Sequence, residues 1–382
     1  MKTIKIISIF IVCILFLTGC WDKVEIEDRA FVMTIGIDSS KELKNYVVTF
    51  QFPNIRMIST GTSGGGGGTG KPSFSISEVA DTVFSASRHI STRLNKNLFL
   101  GHAKAIILGE DIVTNKNNFL EVVDTLERSY ELSRKLHILV TPGRAQDIVL
   151  KNYKFDPNLG AYIEDIFKQY NKTSKFPNID YNKVMKSLHE TNGNAIIPKI
   201  IAGKDEIRIS GSAIIKDYKL VGWLTDGENM GYMWLTGLVK GGDITFNMPL
   251  NNKSVKVPFN ITNVIMRRDV EEQNGKIIYK IKYDIEGDVT ECSFENRAMM
   301  FDTKVLNRME SKANLQIQQM INEALNRFQK DLKVDMIGVG DYIEKHDPSL
   351  WNKVKPQWSD IFPNIEVKTM VSTHIRRIGL YK

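Results

Sequence analysis

The distribution of hydrophobic and polar positions predicts alternating strands and helices through the first 150 residues. Residues 31–38 alternate apolar with small or polar side chains, and residues 43–52 are rich in β-forming side chains, so the two are predicted to form a hairpin across Ser39-Ser40-Lys41. Other elements predicted in this region are strands at 103–108 and 136–141 and helices at 118–131 and 142–150. The region is therefore predicted to be mixed α and β.

A longer helix is predicted directly after Ser75. Ser75 precedes Glu78 by three residues, which is the spacing of a capping box at the start of a helix. Apolar residues then recur every three or four positions, at Val79, Val83, Ala86, Ile90 and Leu94. This spacing predicts one apolar stripe on a helix of about 17 residues.

The middle of the chain changes from a helical to a β pattern. Residues 156–190 are polar and helical in character, interrupted at Phe176-Pro177-Asn178, and are predicted to bridge to the next unit. The elements predicted next are strands at 195–201, 207–216 and 219–224, a turn at Asp217-Tyr218, and a helix from near Gly227 to before Gly237.

The C-terminal region combines long strands with the longest helical pattern. Asn274-Gly275 is a strong hairpin signal, since both residues tolerate a positive φ. The predicted elements are strands near 243–248, 253–270 and 276–293, a helix over about 298–332, a helix at 335–347 and a closing strand at 364–379. The long helix is expected to lie across a sheet, because its apolar residues cover one face and no heptad partner is evident.

These patterns predict an α+β protein of several domains. Mixed and largely antiparallel sheets are expected to be covered by helices, with the one long helix in the C-terminal domain. The predicted limits are 1–19 for a signal peptide, 20–155 for an N-terminal α/β domain, 156–240 for a middle domain, and 241–382 for a C-terminal domain of antiparallel sheet plus long helix.

The N-terminus has the pattern of a secretory signal peptide. Lys2 and Lys5 precede an apolar run over residues 6–17, interrupted only by Ser8. The run is too short for a transmembrane helix, which needs roughly 17–25 residues. Leu17, Thr18, Gly19 and Cys20 match the bacterial lipobox.

The lipobox predicts a diacylglyceryl group on the sulfur of Cys20 and cleavage of the chain just before it. Cysteine suits this role because its thiolate is the nucleophile that accepts the lipid. The alternatives are an ordinary signal peptide that ends in an incidental cysteine, or an uncleaved anchor. Only Cys292 would remain free after processing, so no intramolecular disulfide is expected in the mature chain.

Composition and charge favour a folded protein with a basic surface that can lie near a membrane. Hydrophobic residues make up 42% of the chain, which suffices for folded cores, and no second apolar run is long enough to span a membrane. The net charge of +7 is spread over interspersed residues of both signs, which suits proximity to anionic headgroups. No basic stripe with interleaved aromatics is present, so no nucleic-acid partner is predicted.

The motifs that would indicate catalysis or a cofactor are absent or incomplete. Residues 65–71 read G-x-x-x-x-G-K, but Pro72 stands where a phosphate-binding loop needs Ser or Thr. The six histidines are not in metal-ligand spacing to another His or Cys, and no nucleophile-elbow motif occurs. We therefore predict no cofactor, no metal and no enzymatic activity.

The residues that follow the lipobox carry a resemblance to a known family. Cys20 is followed by Trp21-Asp22, then Glu25-Ile26, an alanine, and a strand that ends in Gly36-Ile37-Asp38. This arrangement resembles the start of the Ger(x)C family, the lipoprotein C subunits of spore germinant receptors. Looser similarities are found at 101–110, at 128–134, at 197–199 and at 211–224, so the resemblance extends over essentially the whole chain.

The resemblance implies a role in a receptor complex. In this family the C subunit works with integral membrane A and B subunits at the spore inner membrane, and the complex triggers germination in response to nutrients. It implies a palmitate-type lipid anchor and a location on the outer face of that membrane. Trp21, Asp22, Glu25, Ile26, Gly36 and Asp38 are its motif residues and the candidates for partner contact. The alternatives to this role are a solute-binding lipoprotein of a transporter and a cell-wall enzyme.

The same residues also have structural interpretations. Trp21 suits either the headgroup level of the membrane or a core position. Asp22 and Glu25 are candidates for capping the entry of the chain as well as for pairing with a partner, and Gly36 is expected to allow tight packing or an unusual backbone angle.

Overall fold

The computed structural model describes residues 25–40, 46–54, 71–250, 253–289 and 302–379. The lipobox at 17–20, Trp21, Asp22 and Cys292 lie outside the described residues. The strands of the N-terminal half are β1 Arg29–Phe31, β2 Thr34–Ser39, β3 Tyr46–Pro53, β4 Ser73–Ala80, β5 Asn97–Phe99, β6 Ala105–Gly109, β7 His137–Thr141, β8 Ala195–Ala202, β9 Ile207–Lys216 and β10 Lys219–Leu224.

Eight of these strands form one mixed sheet in the order β10-β9-β8-β7-β6-β2-β3-β4. The central strands β2, β6, β7 and β8 are parallel, whereas β3 and β4 at one end and β9 and β10 at the other add antiparallel pairs. The short strands β1 and β5 pair in parallel beside it.

Helices cover both faces of this eight-stranded sheet. The helices of this half are α1 Val83–Ile90, α2 Glu110–Thr114, α3 Lys116–Arg128, α4 Ala145–Val149, α5 Leu159–Lys168, α6 Tyr170–Thr173 and α7 Tyr181–Glu190. Ile106 and Leu108 of β6 point into a core shared with α1, α2, α3 and α7. Ala105 and Ile107 point the other way, into a core shared with α4 and α5. The central strands are buried on both faces, as parallel sheets require.

The C-terminal half is a four-stranded sheet with helices on one face. Its elements are α8 Asp226–Thr236, β11 Gly242–Leu250, β12 Lys253–Gln273, β13 Lys276–Val289, α9 Thr303–Asn326, α10 Val339–His346, α11 Pro348–Val354, α12 Trp358–Ile361 and β14 Glu366–Ile378. The strand order is β11-β12-β13-β14, with β14 parallel to β13. A π-helical turn over Arg327–Leu332 extends α9.

Helices α8 and α9 join the two sheets. Their buried residues form one core with the inner face of the four-stranded sheet, and Ile196 and Ile214 of the large sheet belong to the same core. The two helices lie close together because α8 carries Gly231, where an added Cβ would be 2.0 Å from the carbonyl oxygen of Met320. Helix α8 begins with a capping box between Thr225 and Glu228.

The predicted fold class is confirmed: the protein is α+β with mixed sheets and a long C-terminal helix. Both predicted two-residue turns are confirmed, since Asp217 and Tyr218, and likewise Asn274 and Gly275, have positive φ between paired strands. The predicted domain limits stay predictions. The large sheet is continuous across the limit at 155/156, because Val140 of β7 pairs with Lys199 of β8.

The helix predicted after Ser75 is wrong. Residues 73–80 are strand β4, paired along its whole length with β3, and the helix begins only at Val83. The true capping box is formed by Thr82 and Ser85. Pairing with β3 outweighs the helical spacing, and Ser73-Phe74-Ser75-Ile76-Ser77 does alternate with the period of a strand.

Segment 156–190 is helical as predicted, but it covers the large sheet as well as bridging to the next unit, since Leu159 and Phe167 are buried against that sheet.

Candidate functional site

The carboxylate of Asp38 lies at the junction between strand β2 and helix α4. Its two oxygens accept hydrogen bonds from the amide nitrogens of Ala145 at 2.6 Å and Gln146 at 2.7 Å. These amides belong to the first turn of α4, where backbone N–H groups have no partner within the helix. A carboxylate is favoured there by the helix dipole as well. Asp38 therefore fastens α4 to the end of β2.

The environment of Asp38 is dry and rich in charge. Its side chain is fully buried, and this burial raises its pKa to about 6, against the lowering effect of the two amide donors. The pKa of Asp111 nearby is also raised by burial, while the guanidinium of Arg144 lowers both. Asp111 accepts a hydrogen bond from the amide of Ser39 at 2.9 Å. Asp38 thus holds the first turn of α4, and Asp111 holds the last residue of β2, at the same end of the sheet.

Gly36 serves the same junction from within β2. A Cβ at Gly36 would be 3.0 Å from Val149 and 3.4 Å from Ala145, so the absence of a side chain lets α4 lie directly on the strand. Gly36 and Asp38 are therefore brought together, and both are buried. In this arrangement they shape the scaffold and present no side-chain surface to a partner.

The N-terminal segment is placed differently from Gly36 and Asp38. Glu25 is exposed, and Ile26 is 72% exposed, which is unusual for an isoleucine at the start of a fold. Both lie at the end of the unit where the described chain begins. Of the predicted contact residues that the structure describes, these two are the accessible ones, and their contact with a partner stays a prediction.

The first two stretches of the resemblance pack against each other. The ring of Phe31 makes edge contacts with Phe99 at 5.6 Å and with His102 at 5.1 Å between ring centroids. The guanidinium of Arg29 lies 4.7 Å from the centroid of Phe99. Phe31 of the first stretch and His102 of the second stretch thus belong to one aromatic cluster with Phe99 of β5.

Several residues of this junction could not be found from the sequence. Ala145 and Gln146 contribute through backbone amides, which leave no side-chain signal. Gly109 lies against Asp38, where a Cβ would be 2.2 Å from its oxygen; it belongs to the stretch 101–110 that resembles the family, but nothing in that stretch indicates its contact with Asp38. The pairing of residues 38 and 145 is a tertiary contact that periodicity does not report.

The described residues contain no group of three or more side chains positioned to hold a metal ion. Within the same residues, no helix is both long and apolar enough to cross a membrane. Open depressions do occur, and a groove between α5 and β9 has a volume of about 530 Å³, with Phe155 and Phe176 in its lining.

Comparison with protein families assigns both halves of the chain. Residues 22–202 match the family model described as spore germination protein N-terminal domain. Residues 210–379 match the model described as spore germination B3/GerAC like, C-terminal. The two matches follow each other in order and leave little of the chain unassigned.

Relatives of known sequence match along almost the whole chain. Spore germination protein YndF of Bacillus subtilis (strain 168) is 26% identical, with 98% of this chain and 97% of that protein covered. Spore germination protein B3 of the same organism is also 26% identical, with 99% of both chains covered. Spore germination protein KC is 25% identical, with 97% and 95% covered.

A solved structure has the same fold. The protein superposes on the crystal structure of the GerBC protein with a TM-score of 0.59 at 21% sequence identity. The superposition covers 90% of this chain and 96% of the GerBC chain. The chain belongs to the Ger(x)C family of spore germination proteins.

Proposed function

We propose that this protein is the lipid-anchored C subunit of a spore germinant receptor, and that it acts by binding partner subunits and without catalysis. The observation that carries the proposal is the succession of the two spore germination family domains over residues 22–202 and 210–379. Relatives of the same length named as spore germination proteins support it. The expected partners are the integral membrane A and B subunits.

The anchor is proposed from the lipobox. A diacylglyceryl thioether on Cys20 would hold the mature chain at the outer face of the spore inner membrane. Two acyl chains at about 0.8 kcal/mol per buried CH₂ give stable attachment, whereas one chain gives only marginal binding. Tethering confines the folded body to a thin layer and raises its effective concentration toward membrane partners. Exposed Glu25 and Ile26 would then begin the folded body only a few residues from the lipid.

The geometry of the described residues supports binding as the mode of action. The family-motif residues Gly36 and Asp38 hold a helix against the sheet, which gives a scaffold fixed by many contacts. Asp38 and Asp335, two buried carboxyls whose pKa values are raised by burial, accept hydrogen bonds from backbone amides. Groups held in this way position the backbone and are not free to transfer protons to a substrate.

The proposal is tested by affinity purification from spore inner membranes. The full-length wild-type protein and the Cys20→Ala variant are expressed with their neighbouring receptor subunits, solubilised in mild detergent and purified through a C-terminal tag. The wild type is expected to recover one transporter-like and one further integral subunit, and its mature N-terminal peptide is expected to carry the mass of a diacylglyceryl group. The variant is expected to lose the lipid and most of the recovered subunits.

Two results would contradict the proposal separately. A bare thiol at Cys20 in the mature wild-type protein would remove the anchor. Recovery of only transport ATPases, or of no integral membrane protein at all, would remove the receptor role and favour a solute-binding lipoprotein. Cys292→Ala serves as the control, since it also removes one thiol but leaves the lipobox intact.

A further inference from the structure

The outer face of the C-terminal sheet is uncovered. Side chains of β12, β13 and β14 that point away from α8 and α9 form cross-strand rows, and no helix among the described residues packs on them. Two rows lie at the middle of this face: Arg267–Lys282–Met370 and Ile265–Asp284–Ser372. We name the surface formed by these two rows the open face.

Most charges around the open face are already paired. Most acidic side chains near the centre lie against a neighbour: Glu271 against Lys280, Glu366 against Lys368, Glu286 against Arg376, and Asp269 against the amide of Val270. Asp284 lies 3.4 Å from the imidazole of His374, which is charged only when protonated. Asp243 and Asp288 share a row with Asn260 on the same side of the sheet, several residues along the strands from Arg267 and Lys282, and make no side-chain ion pair within the described residues.

Two cations remain at the centre. Arg267 and Lys282 are directly opposite each other in the register of β12 and β13, and both are exposed. Among the described residues neither makes an ion pair within 4 Å. Like charges at directly opposed positions destabilise a sheet, because their Cβ atoms are only about 5 Å apart. An external anion placed between them would remove that repulsion.

Apolar side chains flank the two cations. Met370 is 61% exposed beside Lys282, and Ile265 is 44% exposed in the next row. Methionine packs against varied shapes because its side chain is flexible and polarizable. The surface therefore combines a doubly positive centre with an adaptable apolar margin.

We infer that the open face binds an acidic segment of a partner protein, in which one or two carboxylates lie next to an apolar side chain. The carboxylates would sit between Arg267 and Lys282, and the apolar side chain would pack on Met370 and Ile265. This inference rests on the proposed function, since it names the surface through which the subunit would meet a membrane partner. Charge complementarity and the exposed apolar margin carry it.

The partner is expected to lie on the face and not to extend the sheet at β14. Strand β14 is the last strand of the sheet order, but helix α9 occupies part of its outer edge. Glu310 accepts from the amide of Ile375 at 2.9 Å, and Gln318 donates to the hydroxyl of Thr369 at 2.6 Å and to its carbonyl at 3.3 Å. These contacts block strand addition at both ends of the edge.

Charge reversal tests the surface in the full-length, lipidated protein. Arg267→Glu with Lys282→Glu reverses both charges of the opposed pair, and urea unfolding of the isolated chain checks that the variant stays folded. Recovery of integral subunits from spore membranes is expected to fall at least ~10-fold, since reversed charges at an interface both lose attraction and add repulsion. The matched control is Lys183→Glu with Lys186→Glu on α7, which changes the net charge equally and is expected to recover them normally.

A photo-crosslinking amino acid at position 370 provides the second readout. Its control is the same amino acid at Leu315 of α9, which is also 61% exposed. We expect crosslinks to an integral receptor subunit from 370 and none from 315. The same two chains on protein-free vesicles of phosphatidylcholine with 30% phosphatidylglycerol test the bilayer as the occupant.

The outcomes separate the two proposals. If the wild type recovers the integral subunits but the reversed pair does so equally well and position 370 gives no crosslink, the open face is not the docking surface and the proposed function stands. Crosslinks from position 370 to lipid on the vesicles would also overturn the inference that the open face binds a protein segment. If the wild type recovers no integral subunit, the proposed function is wrong, and the inference that the open face binds a receptor subunit is wrong as well.

Discussion

The two sheets of this protein differ in how their faces are used. The eight-stranded sheet has helices on both sides, so successive residues of its central strands enter two separate cores. The four-stranded sheet has α8 and α9 on one side only, and its other side exposes Lys282, Asp284 and Met370. A sheet buried on both faces can only support its surroundings, whereas a sheet with a free face can also contact another molecule.

The comparison separates scaffold from contact surface within one family. The motif residues Gly36 and Asp38 belong to the covered sheet, and their contacts are internal. The opposed cations Arg267 and Lys282 and the exposed Met370 belong to the other sheet. A recognisable motif therefore does not by itself mark the surface that binds.

The largest expected effect comes from uncoupling the sheets at their shared helices. Gly231→Ala would place a Cβ 2.0 Å from the carbonyl oxygen of Met320, and a helix backbone cannot give way as a side chain can. Overpacking of this kind is expected to lower the free energy of unfolding by at least ~3 kcal/mol, measured by urea titration. Gly227→Ala in the same helix faces only the flexible end of Glu323 and is expected to change stability by less than ~1 kcal/mol. Equal effects would contradict the close helix contact.

A smaller effect is expected from the pH dependence of the covered sheet. Because burial raises the pKa of Asp38 from 3.8 to about 6, the folded state holds the proton more tightly than the unfolded state. Stability from this group is full below about pH 4 and is lost as the pH rises through about 6, at most about 3 kcal/mol in all. In Asp38→Asn this part of the pH slope is expected to vanish.

The measurement is urea unfolding between pH 4 and pH 7. Asp147→Asn, an exposed carboxyl in the same helix α4, controls for loss of one negative charge. If the stability difference between wild type and Asp38→Asn stays constant over this range, the pKa of Asp38 is not raised into it, and the prediction is wrong.

Removing a contact that covers the edge of β14 is expected to lower the free energy of unfolding by about 1 kcal/mol. Gln318→Ala removes two hydrogen bonds to Thr369 and leaves its carbonyl at the sheet edge, and each such loss is expected to cost about 1 kcal/mol or less. Gln319→Ala, whose side chain binds Glu323 on the exposed helix surface, is expected to be nearly neutral. Urea unfolding gives the stabilities, and light scattering is expected to detect self-association in Gln318→Ala first. Identical behaviour of both variants would rule out edge protection.

The open face itself is expected to contribute least to folding. Met370→Ala should change the unfolding free energy by less than ~0.5 kcal/mol, as at other exposed sites without a partner. Thermal unfolding of the isolated chain checks this. A loss of several kcal/mol would mean that Met370 packs within the protein and that the face is not free.

Sequence reasoning found the elements whose signals are local. The turns at Asp217-Tyr218 and Asn274-Gly275, the helix ending at Gly237 and the apolar stripe of α9 depend on neighbouring residues, and the structure confirms them. The sequence-based prediction was wrong at residues 73–80, where both a helical and a strand period are present and pairing with β3 selects the strand.

The candidate site was harder to predict because its contacts are distant in sequence. Asp38 was identified as a motif residue, but its partners Ala145 and Gln146 offer only backbone amides. The open face had no motif at all. Its signal is the cross-strand register that opposes Arg267 and Lys282, and register is known only once the strands are paired.

Hydroxyl-radical footprinting of the lipidated protein, alone in vesicles and within the purified receptor, tests the division between scaffold and contact surface most directly. Met370 and Leu315 have the same exposed fraction in the isolated chain. Our account predicts that assembly protects Met370 from oxidation at least several-fold while Leu315 keeps its reactivity. Undiminished oxidation of Met370 in the intact receptor, or protection of Leu315 in its place, would contradict it.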